Sequence, residues 1–115
     1  MIVTTLRRIR GVAAALAVVS LMLAVPSHAQ EAREATVTID NVAFTPETLT
    51  VKPGTKVTFI NHDDIPHSVV AVEKAFRSKA LDTDEKYEFT FERAGDFAYF
   101  CGLHPHMKGK IVVAP

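Results

Sequence analysis

Short runs in which apolar and polar residues alternate fill most of the chain after Glu34. Successive side chains of a β-strand point to opposite faces, so a period of two over a few β-branched or aromatic residues is typical of half-buried strands. The clearest runs lie at 37–39, 49–51, 57–59, 87–91, 97–101 and 111–113. About seven such strands in one small domain predict an all-β sandwich or a small barrel.

Glycine and proline separate these runs and predict where the chain turns. Pro53 and Gly54 suit a type II turn, because proline fixes φ at the first central position and glycine supplies the positive φ of the second. The other residues that we expect in turns are Asn41, Pro46, Gly95 and Gly109. Residues 73–86 lack a clear strand pattern, and their apolar residues are compatible with either a short helix or a packed loop.

The N-terminal segment has the three-part layout of a secretory signal peptide. Arginines give it a positive start, residues 11–25 are almost entirely apolar, and small residues precede a cleavage site after Ala29. A membrane anchor is the alternative, but this run is shorter than the roughly 20 residues that span a bilayer. We therefore expect residues 1–29 to be a signal peptide for export to the periplasm, by the general secretory or the twin-arginine route. Residues 30–115 would then form one domain without stable membrane insertion.

Charge and cysteine content exclude several classes of protein. The whole chain has 13 basic and 13 acidic residues, a formal net charge of zero and a single cysteine. Without residues 1–29, the chain keeps all 13 acidic residues but loses three arginines, so its net charge is slightly negative. This balance argues against binding to nucleic acid, and one cysteine cannot form a disulfide scaffold. A bound metal ion would be a natural stabiliser of so small a core.

The residues that could carry chemistry are concentrated between the last two predicted strands. Cys101, His104 and Met107 follow one another at intervals of three, and a tight loop can turn side chains at this spacing toward one point. A lone cysteine is by itself most often an inert core thiol, but this one has an imidazole and a thioether beside it. His67 lies in another predicted loop, between Pro66 and an apolar run, and is the best candidate for a fourth ligand.

These four side chains make a soft ligand set without a carboxylate. One thiolate, two imidazoles and one thioether are the ligands of blue-copper electron-transfer sites, whereas thioether is not among the usual ligands of zinc. We expect His62 and His106 to be exposed. We interpret Asp63 and Asp64 as a solvated turn, with charges that influence the choice of partner as the alternative. Four protein ligands would leave no open position for a substrate, so we expect no enzyme activity at the metal.

Several motifs together resemble the cupredoxins, and among them the amicyanin branch. The similarity runs from about residue 37 to residue 113 and rests on the Cys-x2-His-x2-Met spacing together with segments 45–47, 51–61, 65–67, 89–91, 94–95 and 108–113. The resemblance implies a Greek-key β-sandwich of seven to eight strands. It also implies one type 1 copper ion, with three equatorial ligands and one axial ligand, which are His67, Cys101, His104 and, in the axial position, Met107.

The resemblance further implies an electron carrier. Cupredoxins pass single electrons between redox partner proteins. For this chain the resemblance implies a monomer that docks weakly with a donor dehydrogenase and with an acceptor cytochrome or oxidase. Electrons would enter and leave through the edge of His104. A periplasmic copper carrier with the same ligands is the alternative. A hydrolase that uses Cys101 and His104 is disfavoured, because one tight loop does not provide a separately oriented base. Two positions depart from the family pattern: Ser68 replaces an asparagine that often ties the ligand loops together, and His106 replaces an apolar residue.

Overall fold

The computed structural model describes residues 11, 13–21 and 33–115, and the predicted cleavage site after Ala29 lies outside these residues. In the part of the chain that the structure describes, no helix has the length and apolarity that crossing a membrane requires. The strands of residues 33–115 are β1 (Glu34–Asp40), β2 (Ala43–Thr45), β3 (Thr48–Val51), β4 (Thr55–Asn61), β5 (Val70–Ala71), β6 (Lys86–Phe91), β7 (Gly95–Phe100) and β8 (Lys108–Val113).

These strands form two mixed sheets that pack face to face. The first sheet has the order β2-β1-β4-β6, and the second has the order β3-β8-β7-β5. Each sheet contains one parallel pair, β1 with β4 and β3 with β8, and its other neighbours are antiparallel. The core lies between the sheets. There the rings of Phe59 of the first sheet and Tyr99 of the second pack edge to face, with their centroids 5.3 Å apart. The predicted all-β sandwich is confirmed.

Strand β4 shows how the alternating pattern builds the core. Val57, Phe59 and Asn61 are buried on one face, while the residues between them are partly exposed. Burying one large apolar side chain contributes about 1.5–3 kcal/mol. Asn61 is the polar member of this row, and its side-chain amide donates to the carbonyls of Ile65 and Leu81, both at 2.9 Å. The last inward residue of β4 therefore holds the loop that follows the strand.

Residues 73–85 form a packed loop and Lys86 begins β6, so the alternative of a short helix is wrong. Phe76 and Leu81 are buried and anchor the loop on the core. Leu81 and His67 lie opposite each other and exchange two backbone hydrogen bonds, of 3.1 and 2.6 Å. The loop thus fixes the backbone of His67 from outside the segment that carries it.

Two glycines occupy different kinds of position. Gly54 has a φ of 87°, and the Thr55 N–H donates to the Lys52 carbonyl at 3.2 Å, which confirms the predicted turn. Gly109 lies inside β8, so its prediction as a turn residue is wrong. A Cβ at this position would lie 2.3 Å from Cζ of Tyr99. Glycine stands here because the Tyr99 ring packs directly against the backbone.

Candidate metal centre

Two loops meet at one end of the sandwich. Residues 62–69 connect β4 to β5, and residues 101–107 connect β7 to β8. Ser68 joins them, because its backbone N–H donates to Cys101 Sγ at 3.3 Å and its Oγ accepts from the Gly102 N–H at 2.9 Å. The serine that replaces the usual asparagine is therefore long enough to tie the two loops together.

Main-chain hydrogen bonds close the second loop on itself. The Cys101 N–H donates to the Met107 carbonyl at 3.0 Å, the His104 N–H to the Cys101 carbonyl at 3.3 Å, and the Met107 N–H to the His104 carbonyl at 2.9 Å. The three residues are thus linked pairwise through the backbone, which explains how a spacing of three brings them together. Met107 is buried at the end of this loop, immediately before β8.

Three donor atoms face one another between the loops. The Nδ1 atoms of His67 and His104 each lie 3.7 Å from Cys101 Sγ, and one donor atom from each of the three residues lies within 4.8 Å of the others. Nitrogen and sulfur that share a first-row metal ion at about 2.0 and 2.3 Å in a trigonal plane are about 3.7 Å apart. The observed separations therefore fit one ion held in common. His67 and Cys101 are fully buried, whereas His104 is partly exposed.

Sequence reasoning missed Asp63. The side chain of Asp63 is only 13% exposed, and its Oδ2 lies 2.9 Å from His67 Nε2. An ionised carboxylate can only accept, so His67 is the donor in this hydrogen bond. This bond is the main cause that lowers the pKa of Asp63, and the Val42 N–H lowers it further. The interpretation of Asp63 as a solvated residue is wrong, and the available signal was an acid four positions before a candidate ligand.

His62 and His106 lie outside the group of donors, as expected. Both are exposed. His62 Nδ1 is 3.5 Å from a carboxylate oxygen of Asp84, and the ring centroid of His106 is 6.4 Å from that of His104. In the described part of the chain, the group that could hold a metal consists of His67, Cys101 and His104.

Comparison with known proteins places the chain among its relatives. The family model of the cupredoxin-like domain matches residues 13–113. The chain belongs to the cupredoxin-like family. The amicyanin of Paracoccus versutus is 40% identical over 75 residues, which are 61% of this chain and 56% of that protein. Amicyanin-alpha of Methylorubrum extorquens is 36% identical over 112 residues, which are 88% of this chain and 94% of that protein. The solved structure of an amicyanin mutant in its Cu(I) form matches with a TM-score of 0.67 and 34% identity, and the match covers 70% of this chain and 82% of that one.

Copper is the cofactor that the family and the donor set together assign to this site. Thiolate and imidazole suit copper, and His67, Cys101 and His104 offer these donors at separations that fit one ion. The resemblance to cupredoxins that the sequence motifs indicated is confirmed.

Proposed function

We propose that this cupredoxin is a small exported protein that passes single electrons between redox partner proteins. In this proposal His67, Cys101, His104 and Met107 would together hold a type 1 copper ion, His67 and His104 through imidazole nitrogen, Cys101 through its thiolate and Met107 through its thioether. The observation that carries it is the pair of equal 3.7 Å separations from Cys101 Sγ to the two Nδ1 atoms. When bound, copper supplies a one-electron couple between its cuprous and cupric states.

The chain's own contribution is to hold the donors in one arrangement during electron exchange. Main-chain hydrogen bonds fix residues 101–107, and the bridge to Leu81 fixes His67. A preorganised site needs little rearrangement at the moment of reaction. The Ser68 N–H, which donates to Cys101 Sγ, stabilises negative charge on the sulfur and so contributes to the reduction potential.

Burial of the donors supports an electron carrier over an enzyme. His67 and Cys101 are fully buried and Met107 is 3% exposed, so a substrate has no access to these side chains. The same burial gives no support to the alternative of a copper carrier, because a carrier needs donors that bind and release copper readily. His104 is partly exposed. Its ring is therefore the proposed route by which an electron reaches the surface.

The surface beside His104 suits weak docking. Leu103 is 51% exposed, and Pro105 and, on the neighbouring loop, Pro66 are also exposed. Small apolar patches support short-lived complexes that bury less than about 1,200 Å². We propose that a monomer docks through this patch with a donor dehydrogenase and with an acceptor cytochrome or oxidase. His106 makes the patch more polar than the family pattern suggests.

Export is the second part of the proposal. The apolar run at 11–25 and the small residues before position 30 support cleavage after Ala29 and work in the periplasm by the domain of residues 30–115. Intact-mass measurement of protein from the periplasmic fraction should give a chain that begins at Gln30. A chain that keeps residue 1 and stays with the membrane fraction would contradict this part.

Visible spectroscopy tests the ligand assignment. The cupric protein should be intensely blue, because charge transfer from the Cys101 thiolate to copper absorbs visible light, and Cys101→Ala should abolish the colour. His106→Ala is the matched control, since it removes an exposed imidazole from the same loop and should leave the colour intact. A colourless cupric protein, or colour that survives His104→Ala but not His106→Ala, would contradict the assignment.

A further inference from the structure

We propose that Asp63 is a positioning residue for the metal centre: its carboxylate fixes the proton of His67 on Nε2 and lowers the reduction potential of the site. This inference rests on the proposed function, since it concerns a ligand of that same centre. It assigns a role to an acid that lies outside the set of metal donors.

The contact itself is well defined on both sides. Asp63 Oδ2 accepts from His67 Nε2 at 2.9 Å, on the ring edge opposite the Nδ1 atom that faces Cys101 Sγ. A neutral imidazole carries one N–H. If that proton is on Nε2 and is donated to the carboxylate, Nδ1 keeps a free lone pair, which is the state that binds a metal.

Asp63 is held in place by contacts beyond His67. The same Oδ2 accepts from the Val42 N–H at 2.9 Å, and Oδ1 accepts from the Asp64 N–H at 3.2 Å. The Asp63 N–H donates to the Asn61 side chain at 2.9 Å, and the Asp63 carbonyl accepts from the Thr83 hydroxyl at 2.7 Å. These contacts come from three segments of the chain. The carboxylate therefore has a fixed position from which to orient the ring.

The contact to Val42 shows that the turn between β1 and β2 is adapted to this carboxylate. Val42 has a φ of 57°, which is unusual for a β-branched residue, and Asn41 before it has a φ of 54°. In this conformation the Val42 N–H points at Asp63 Oδ2. The chain thus adopts here a turn that is unfavourable for a β-branched residue. This turn places the Val42 N–H against the same oxygen that accepts from His67.

The charge of Asp63 gives the pair an electronic effect. His67 is fully buried and Asp63 is 13% exposed, so water screens their interaction less than it would at the surface. A carboxylate that accepts from a ligating imidazole makes the ring a stronger donor. A stronger donor and a nearby negative charge both favour the more highly charged cupric state over the cuprous state. The potential should therefore be lower than it would be without Asp63.

Asp63→Asn and Asp64→Asn form a matched pair of variants. Each removes one negative charge, from neighbouring residues, but Asp64 is exposed and contributes only its backbone N–H to the contacts of Asp63. Loss of such an outer partner typically changes metal affinity by roughly 10- to 100-fold. A tenfold loss that falls on the cupric state alone corresponds to a rise of about 59 mV for a one-electron couple.

Spectroelectrochemical titration of the copper-loaded proteins measures this shift. We expect the reduction potential of Asp63→Asn to be at least about 59 mV above that of the wild type, with the blue colour kept. The reduction potential of Asp64→Asn should stay close to the wild-type value. Equal potentials in the two variants would overturn the proposal. If Asp63→Asn does not take up copper, Asp63→Glu should restore uptake because it keeps the charge, and its failure to do so would also overturn the proposal.

Nitrogen-15 NMR of the copper-free wild type gives a readout that does not depend on the metal. In the neutral imidazole of His67 the proton should be on Nε2, and a neutral ring with its proton on Nδ1 would refute the proposal. A wild-type protein that never turns blue would contradict the proposed electron carrier, and the NMR measurement would still decide whether Asp63 fixes the ring. The two failures are therefore distinguishable.

Discussion

Replacing Ser68 with alanine should weaken the connection between the two ligand loops. The substitution removes the oxygen that accepts from the Gly102 N–H at 2.9 Å, but leaves the backbone N–H that donates to Cys101 Sγ. A donor that loses its partner inside a protein costs about 1–3 kcal/mol, and we expect about 1 kcal/mol because Gly102 is exposed and water can partly replace the hydroxyl. With a urea m-value of about 1 kcal/mol per M, the unfolding midpoint should fall by about 1 M.

Urea unfolding of the copper-free protein, followed by circular dichroism, measures this change. Ser78→Ala is the matched control, because Ser78 Oγ accepts from the Val69 N–H at 2.8 Å but contacts neither Cys101 nor Gly102. Both variants should lose stability, whereas the visible spectrum of the copper-loaded protein should change more in Ser68→Ala. An unchanged midpoint in Ser68→Ala would refute the stabilising role of its hydroxyl.

A double-mutant cycle tests the same contact from the other side. A Cβ at Gly102 would lie 2.9 Å from Ser68 Oγ and 3.4 Å from Val70 Cγ2. Gly102→Ala alone should therefore be destabilising, and part of its effect should disappear in combination with Ser68→Ala, which removes the closer atom. Strict additivity of the two effects would show that the side chains do not meet as described.

Three further substitutions test the packing of the core and the loss of stability at low pH. Gly109→Ala should lower stability by about 1–3 kcal/mol, since its Cβ would overlap the Tyr99 ring, and thermal melting that matches the wild type would argue against this packing. Tyr99→Phe should leave the melting temperature unchanged or raise it, because the buried Tyr99 hydroxyl has no hydrogen-bond partner among the described residues; a clear loss of stability would point to a partner. The Asp82 N–H and then Lys79 lower the pKa of Glu85 below its ordinary value of 4.5, so the stability it contributes is present above that pH and is lost as the pH falls through the lowered pKa. In copper-free protein, Glu85→Gln should therefore flatten the decline of stability with acidification below about pH 4.5, and an unchanged decline would contradict the contribution of this carboxylate.

The alternating runs predicted the strands because burial of one strand face determines both the sequence pattern and the structure. In β4, a residue that points inward must be apolar or must find a partner, as Asn61 does. The closed conformation of the loop at 101–107 was predictable for a related reason. Its spacing of three is a local property, and the backbone links between Cys101, His104 and Met107 act within seven residues.

The features that sequence reasoning missed depend on contacts between distant segments. Gly109 looks like a turn residue, and only the packing of the Tyr99 ring explains a glycine within a strand. Asp63 looks like a solvated acid, and only the fold brings the Val42 N–H and the ring of His67 to its carboxylate. Residues 73–85 carry no periodic signal because isolated bridges at Arg77 and Leu81, rather than a sheet or a helix, hold them in place.

The order of strands in the second sheet has a consequence for when the protein can fold. Strand β8 lies between β3 and β7, although it is the last strand along the described chain. Neither neighbour can complete its pairing before residues 108–113 have been synthesised, since Val51 pairs with Val113 and Phe100 pairs with Lys108. The second sheet of a growing polypeptide therefore stays incomplete until β8 has been synthesised.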